Sequence, residues 1–199
     1  MFSKKTTLIT GATSGIGLAT ARALAQEGCR LVLTGRRVER LKDLVEEFSE
    51  LTAVHSLCFD IRDREATTRI IAQLPEEFSQ IDILINNAGN AHGFDSFEDG
   101  SLDDWDAMID INIKGLLYVS KAVIPQMIQR GTGHVIHLGS TAGKEVYPKG
   151  NVYCASKHAV DALNHAMRID LNGKGIKISA IHPGLVETEF SEVRFKGDT

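Results

Sequence analysis

Short apolar runs alternate along the chain with longer segments in which apolar residues recur every three or four positions. The short runs predict strands at Thr6–Thr10, Arg30–Thr34, Ala53–Phe59, Ile81–Ile85, Gly133–Leu138 and Ile176–Ile181. The longer segments predict helices at Ile16–Gly28, Arg37–Leu51, Arg64–Leu74, Leu102–Arg130 and Val152–Asn172. Several strands are almost continuous in Val, Ile and Leu, which is typical of strands that helices cover on both faces. This alternation predicts an α/β fold with an open parallel sheet and right-handed crossovers.

The same pattern predicts one domain with one long, interrupted helix. The helix that starts at Arg64 should end before Pro75, and the helical stretch Leu102–Arg130 is expected to divide into two near Asn112. The sequence contains no internal repeat, low-complexity tract or linker. Since 199 residues can bury a substantial core, we expect residues 1–199 to form a single domain.

Composition narrows the classes of partner. Lysine and arginine total 22 against 26 acidic residues, and this net charge of −4 argues against nucleic-acid binding and a polybasic membrane anchor. No apolar run approaches the roughly 20 residues of a transmembrane helix, and no signal segment is recognisable, so we expect a cytoplasmic protein. Cys29, Cys58 and Cys154 lack paired spacing, which predicts small buried thiols in a reducing compartment. The histidines are scattered, and no metal site is expected.

The first predicted strand runs directly into a glycine-rich turn that opens a helix. The glycines follow the spacing G-x-x-x-G-x-G instead of the ordinary G-x-G-x-x-G. They permit a tight turn and let backbone N–H groups approach a pyrophosphate, and the helix N-terminus adds partial positive charge. We therefore predict a dinucleotide-binding turn, whose candidate residues are Gly11, Thr13, Ser14, Gly15, Ile16 and Gly17.

The second predicted strand ends in two arginines, Arg36 and Arg37, with no acid before Glu39. Sites that prefer NAD usually place a carboxylate near this point to accept hydrogen bonds from the ribose 2′-hydroxyl. Guanidinium groups instead bind phosphate through forked, charge-assisted hydrogen bonds. The pair predicts NADP as the cofactor. The alternative is that both arginines only begin a helix on a solvated face.

Three residues have spacing suited to proton transfer. Ser140 follows the fifth strand, Tyr153 comes thirteen residues later and Lys157 four after that. Tyr153 and Lys157 share one helix face, so we expect the ammonium to lower the pKa of the phenol from about 10. Tyr153 can then exchange a proton with an alcohol or carbonyl oxygen that Ser140 holds in place.

The glycine turn, the Asn-Asn-Ala-Gly segment at 86–89 and the Ser140, Tyr153 and Lys157 set occur in the order found in short-chain dehydrogenases/reductases, a family that the sequence resembles over essentially its whole length. The resemblance implies a Rossmann-type doubly wound sheet of order 3-2-1-4-5-6 and hydride transfer between NADP and an alcohol or carbonyl carbon. It places Asn112 in a catalytic tetrad with the other three residues, where it holds a water of a proton relay. It also implies cofactor contacts from Asp60, Ile61, Asn87, Ala88, Gly89, Tyr153, Lys157, Pro183, Gly184, Val186 and Thr188.

The last residues are similar to one branch of that family, the NADP-dependent serine and 3-hydroxy acid dehydrogenases. This similarity implies short substrates such as serine, allo-threonine and 3-hydroxypropionate with malonic semialdehyde. Their carboxylate needs a cationic partner, for which Arg194, in the sequence Val-Arg-Phe-Lys-Gly, is the candidate; the alternative is an exposed surface arginine. Members of the family continue past the position of Thr199 with a seventh strand. We therefore expect a chain without its C-terminal segment, an exposed sixth strand and, as in the family, a homotetramer.

Two other functions stay open from the sequence. A reductase of bulkier ketones or 3-oxoacyl thioesters would use the same catalytic set. A non-catalytic NADP(H) sensor is a function of a different class, and it would have no use for Ser140, Tyr153 and Lys157 together.

Overall fold

Six parallel strands form one sheet at the centre of the computed structural model, which describes residues 3–194 but not the side chains of Glu192 and Val193. The strands are β1 Thr6–Ile9, β2 Arg30–Gly35, β3 Val54–Cys58, β4 Ile83–Asn86, β5 Gly133–Leu138 and β6 Ile176–Ile181. Their order is β3-β2-β1-β4-β5-β6, and every neighbouring pair is parallel. The predicted Rossmann-type fold and strand order are confirmed.

Helices connect the strands and cover both faces of the sheet. They are α1 Gly15–Gln26, α2 Val38–Ser49, α3 Arg64–Ala72, α4 Glu76–Ser79, α5 Leu102–Ile109, α6 Leu116–Arg130, α7 Asn151–Asp170 and α8 Glu189–Arg194. Short 3₁₀ turns occupy Phe97–Asp99 and Thr141–Gly143. The sequence pattern missed α4, α8 and both 3₁₀ turns, because one or two turns are too short to show a helical period.

Adjacent strand residues point to opposite hydrophobic layers, which is why the strands are apolar throughout. On β1, Leu8 packs in the cluster that contains Val119 of α6, whereas Ile9 packs in the cluster that contains Leu41 and Phe48 of α2. All five side chains are almost completely buried. The alternation therefore builds a three-layer domain core, with helices above and below one sheet.

The long helical stretch changes its geometry near Asn112 but does not leave the helix. Between α5 and α6 the chain forms a π-helical turn, Asp110–Gly115, whose backbone torsions at both ends remain helical. The prediction of two helices dividing near Asn112 is therefore right in position, and the break is a widened turn. π-helical turns of this kind occur frequently at functional sites.

β6 lies at one edge of the sheet. Its six residues pair with β5 along their whole length, and among residues 3–194 no strand pairs with its other side. Ile181 at its end is 55% exposed, as expected for an edge strand. Within the same residues, no helix is long and apolar enough to cross a membrane.

The cysteines only partly follow the expectation of buried thiols. Cys29 and Cys154 are buried, but Cys58 is exposed, so the prediction was wrong for that residue. Cys58 ends β3, the opposite edge strand of the sheet, where one side has no neighbouring strand. Across the part of the chain that is described, no group of three His, Cys, Asp or Glu side chains could hold a metal ion.

Candidate active site

The carboxyl ends of all six strands meet at one edge of the sheet, and the predicted site residues lie along it. Open parallel sheets bind ligands in the crevice at this edge, where the strand order reverses. Here the reversal falls between β1 and β4, because the chain passes from β1 outward to β3 and then returns to β4. The turn after β1 and the turn after β4 therefore face each other across the crevice.

The glycine turn adopts a backbone that side chains would not permit. Gly11 and Gly15 have φ of +65° and +52°, in the left-handed region that favours glycine. A Cβ on Gly17 would collide with the Asn87 side chain and the Gly11 carbonyl oxygen. Ser14 precedes α1 in an extended conformation and makes no capping bond with its side chain. The turn therefore offers the first amides of α1 as an anion site, with Thr13 and Ile16 on either side of Ser14 and Gly15.

Asn87 after β4 braces this turn. Its Nδ2 donates hydrogen bonds to the carbonyl oxygens of Thr10, at 2.8 Å, and Gly11, at 3.0 Å. The backbone amides of Asn87 and Ala88 both donate to Thr10 Oγ1 at 3.0 Å. The Nδ2 group of Asn87 therefore bonds the protein itself. What Asn87, Ala88 and Gly89 can offer at the crevice is their backbone.

The two predicted arginines take different positions. Arg36 is largely exposed, with Nη1 3.7 Å from Asp60 Oδ2. Arg37 turns back onto the glycine turn, where its Nε and Nη2 donate to Thr13 Oγ1 at 3.1 and 2.9 Å. Arg36 therefore keeps a guanidinium near the end of β3, while Arg37 helps to hold the turn itself.

Asp60 and Ile61 follow β3 and are mostly committed to protein contacts. Burial alone would raise the pKa of Asp60, but hydrogen bonds from Arg62 and the nearby charges outweigh it and leave the pKa below its usual value. Arg62 Nη2 donates to Asp60 Oδ2 at 2.7 Å. Ile61 is buried against Gly115, so its backbone is what it can offer to a cofactor.

Ser140, Tyr153 and Lys157 come together between β5 and α7. Ser140 caps the 3₁₀ turn, accepting a hydrogen bond from the Ala142 amide at 3.1 Å, and its side chain also bonds that of Tyr153. Lys157 Nζ donates to the Leu138 carbonyl at 2.9 Å and lies 6.0 Å from the centre of the Tyr153 ring. The structure therefore brings the predicted serine, phenol and ammonium to one place.

The electrostatics of Tyr153 differ from the expectation. Burial raises its pKa above the ordinary value; the hydrogen bond from Ser140 and the charge of Arg194 offset this only in part. Burial also lowers the pKa of Lys157 to about 8. The prediction that Lys157 depresses the pKa of Tyr153 was wrong, because desolvation of a buried phenol outweighs an ammonium that bonds Leu138 instead. At neutral pH Tyr153 is a neutral phenol.

Asn112 lies beside Lys157 in the π-helical turn. It exchanges two 2.8 Å hydrogen bonds with the backbone of Asn90, and its Nδ2 donates to Ser156 Oγ at 3.0 Å. A Cβ on Gly89 would stand 2.9 Å from Asn112 Oδ1 and 3.5 Å from Lys157 Nζ. Asn112 thus ties Asn90, in the segment after β4, to Ser156 on α7. This places it next to Lys157, with which the family resemblance groups it.

The loop after β6 supplies the remaining predicted contacts. The Pro183 carbonyl accepts a hydrogen bond from the Thr141 amide at 3.0 Å, which places the Pro183–Gly184 turn beside Ser140. Thr188 reaches the glycine turn, where a Cβ on Gly15 would stand 3.2 Å from the Thr188 Cβ. Gly184 faces open space and Val186 is 47% exposed, so neither packs against the site.

Helix α8 then covers Tyr153. The rings of Phe190 and Tyr153 lie 5.6 Å apart. Arg194 donates from Nη1 to the Tyr147 hydroxyl at 2.9 Å, and its guanidinium carbon stands 5.4 Å from the Tyr153 ring centre and 4.9 Å from that of Phe94. Arg194 is therefore held in an aromatic cage beside Tyr153. The Phe195, Lys196 and Gly197 that follow it in the sequence motif lie outside the described residues.

Sequence reasoning missed four residues that shape this site. Tyr147 and Phe94 form the cage around Arg194, and Glu189 forms ion pairs with Arg37 and Arg40. For Tyr147, Phe94 and Glu189 no local pattern exists, because each contact joins residues far apart in the chain. For Arg40 the one available signal was its spacing by three from Arg37 at the start of α2, which puts the two side chains on the same side of the helix.

Known proteins resemble the chain in sequence and in structure. The family model described as short chain dehydrogenase matches residues 5–198. The NADP-dependent 3-hydroxy acid dehydrogenase YdfG of Escherichia coli is 47% identical over 192 residues, which are 96% of this chain and 77% of the relative. Sulfoacetaldehyde reductase 2 of Chromohalobacter salexigens is also 47% identical, over 96% of this chain and 76% of the relative. A solved closed form of serine dehydrogenase complexed with NADP+ matches with TM-score 0.93 and 46% identity, over 97% of this chain and 77% of that one.

Proposed function

Because the chain belongs to the short chain dehydrogenase family, we propose that it is an NADP-dependent oxidoreductase that interconverts short 3-hydroxy acids and the corresponding carbonyl compounds. The substrates in view are serine, allo-threonine and 3-hydroxypropionate with malonic semialdehyde. The main observation behind this proposal is that Ser140, Tyr153 and Lys157 lie together at the same edge of the sheet as the glycine turn. Relatives named for NADP and 3-hydroxy acids support the choice of cofactor and substrate.

The crevice fits a dinucleotide phosphate. Positive φ at Gly11 and Gly15 exposes backbone at the start of α1, where no side chain caps the helix. A Cβ on Gly35 would stand 2.7 Å from Thr13 Cγ2, so β2 and the turn lie close together. Arg36, which is largely exposed, provides the cation that would hold a 2′-phosphate, whereas Arg37 already bonds Thr13 and Glu189 beside it. Tyr153 and Lys157 lie at the other end, where the nicotinamide would be held.

The chemistry of the site follows from its protonation. When bound, the nicotinamide supplies or accepts the hydride. A raised pKa keeps Tyr153 protonated at neutral pH, so its hydroxyl can donate a proton to a carbonyl oxygen on reduction. On oxidation Tyr153 must first lose that proton, and the phenolate then accepts the proton of the alcohol. Ser140 holds that oxygen beside the phenol. Lys157, anchored on Leu138, provides a buried positive charge close to the ring.

The cage around Arg194 selects an anionic substrate. Its guanidinium stands 5.4 Å from the Tyr153 ring centre, which is within reach of a carboxylate two carbons from a reacting hydroxyl. The surrounding rings remove water from the charge and strengthen its attraction for an anion. A sulfonate would satisfy the same cation, in agreement with the sulfoacetaldehyde reductase among the relatives. Bulky neutral ketones carry no anionic group that could pair with this charge.

The experiment is to measure initial rates of NADP+ reduction with L-serine and 3-hydroxypropionate, for the protein and for Tyr153→Phe. Loss of the phenolic hydroxyl should lower kcat by about 10²- to 10⁴-fold while NADPH binding is unchanged. Turnover of ketones or 3-oxoacyl thioesters without turnover of hydroxy acids would contradict the substrate assignment. Tight NADPH binding without oxidation of any hydroxy acid would support a sensor. A folded protein that does not bind NADPH would refute the proposal.

We also propose that residues 1–199 act as one catalytic domain in a cytoplasmic homotetramer. The support is the continuous sheet for the domain and the family resemblance for the assembly. Multi-angle light scattering at several concentrations gives the mass directly, and a monomer at all concentrations would contradict the tetramer.

A further inference from the structure

The segment after β6 crosses the whole crevice. We call residues 182–194 the strap. β6 is four strand positions from β2, a distance of about 19 Å at about 4.8 Å per strand. The strap begins beside β6, yet Glu189 contacts Arg37 and Arg40 at the start of α2, directly after β2. Residues 182–188 reach roughly 23 Å when extended, and the side chains of Glu189, Arg37 and Arg40 span part of the distance, so the strap and its ion pairs together bridge the crevice.

Two ion pairs hold the middle of the strap. Glu189 Oε2 accepts a hydrogen bond from Arg37 Nη1 at 2.8 Å, and Glu189 Oε1 accepts one from Arg40 Nη1 at 2.5 Å. Arg40 Nη1 also lies 3.3 Å from the Thr13 carbonyl oxygen. Both arginines are therefore fixed to the glycine turn as well as to the strap. The hydrogen bonds from Arg37 and Arg40 lower the pKa of Glu189, which keeps its carboxylate charged at neutral pH.

The start of the strap and the residue before Glu189 are also in contact with the site. The Pro183 carbonyl accepts from Thr141, and Thr188 lies against Gly15. A dinucleotide that runs from the arginines after β2 to Tyr153 on α7 therefore passes beneath the strap where it meets the glycine turn. The strap then lies over part of the path by which the dinucleotide enters and leaves.

We propose that Glu189, through Arg37 and Arg40, holds the strap closed over the cofactor crevice and thereby limits the rate at which the dinucleotide exchanges. This inference rests on the proposed function for the identity of the dinucleotide. Glu189 is a positioning residue here, because it acts on the strap and not on the reacting atoms. Arg40 gains a role that the sequence did not indicate.

The test is the dissociation rate of NADPH, followed by its fluorescence after addition of excess NADP+. Glu189→Gln keeps the shape of the side chain and removes its charge. Ion pairs that are partly exposed are modest in strength, so we expect release to become about three- to tenfold faster. Arg40→Gln should accelerate release less, because Arg37 still holds Glu189. The double variant with both changes should release NADPH at the same rate as Glu189→Gln, because the pair between Glu189 and Arg40 is already lost in that single variant.

A matched control is Glu187→Gln, which removes an exposed carboxylate from the same loop. It should release NADPH at the rate of the unaltered protein. NADH should also leave Glu189→Gln faster, and by a similar factor, because the crossing lies over the turn and not over the 2′-phosphate alone. If only NADPH left faster, or if Glu187→Gln gave the same acceleration, the proposal that Glu189 holds the strap closed would be refuted.

A measurement without cofactor separates the strap from the proposed function. Backbone amides of residues 185–191 should exchange hydrogen faster in Glu189→Gln than in the protein with Glu189, while amides of α1 should not change. Unchanged exchange in the strap would refute the inference, even if NADPH binds normally. If NADPH does not bind but exchange in the strap still accelerates, the proposed function fails and the closure by Glu189 stands.

Discussion

The two ends of the crevice are built in different ways. At the β1 end, a few residues close together in the sequence make a turn that hydrogen bonds to backbone hold rigid, with Asn87 bonding the carbonyls of Thr10 and Gly11. At the α7 end, Tyr153 is covered by Phe190 and Arg194, which approach it from another part of the chain. The first end is built from backbone and glycines. The second end is built from side chains that a strap brings to Tyr153, and it is the end to which we assign substrate choice.

The largest expected effect concerns the sheet beneath the α7 end. His137 on β5 is fully buried, and burial lowers its pKa to about 4. Asn86 Nδ2 faces its Nδ1 at 3.3 Å, so Nδ1 accepts and the proton resides on Nε2. Within the described residues Nε2 has no hydrogen-bond partner, and an added charge here would be uncompensated.

Because the folded pKa of His137 is depressed, the unfolded chain binds a proton first as the pH falls. The free energy of unfolding should therefore fall between about pH 6.5 and pH 4, by about 3 kcal/mol from His137, and then level off for this residue. Urea titrations of the protein and of His137→Phe measure it. The variant should lose most of this slope, whereas His165→Gln, at an exposed position, should keep it. An unchanged slope in His137→Phe would contradict the assignment.

The next effect tests the rigid end. Gly17→Ala places a methyl group against the Asn87 side chain and the Gly11 carbonyl, so it should lower the free energy of unfolding by about 1–3 kcal/mol and weaken NADPH binding. Gly184→Ala, where nothing lies near the added methyl, should leave the thermal midpoint unchanged. Thermal unfolding and calorimetric binding give both quantities. Equal midpoints for the two variants would mean that the turn adapts and is not rigid.

The smallest effect tests the selective end. Arg194→Leu removes the caged guanidinium, so KM for 3-hydroxypropionate should rise about tenfold, corresponding to about 1.4 kcal/mol. KM for a neutral alcohol of similar size should change much less, and Arg194→Lys should recover part of the loss because it restores the charge. Steady-state kinetics with both substrates give the KM values to be compared. Equal increases for both would show that Arg194 only packs the strap against Tyr153.

The two ends of the crevice also differ in how much of each could be predicted from the sequence. The turn, the arginine pair after β2 and the Tyr153–Lys157 spacing are read from neighbouring residues, and the structure places each of them at the crevice. The side chains that decide their chemistry were not visible. Glu189 meets Arg37 across 152 positions of sequence, and Tyr147 meets Arg194 across 47. No periodicity or motif records such pairs.

The sequence by itself determined the order of strands and helices, the parallel sheet and the glycine turn, because hydrophobic period and backbone freedom are properties of a few adjacent residues. The tertiary structure alone decided the sign of the pKa shift of Tyr153, since burial of the phenol raises the pKa by more than the nearby positive charge of Arg194 lowers it. It also decided the exposure of Cys58 at the sheet edge and the closure of the strap by Glu189. Desolvation and long-range charge pairing depend on which segments pack together, and that is settled only when the chain has folded.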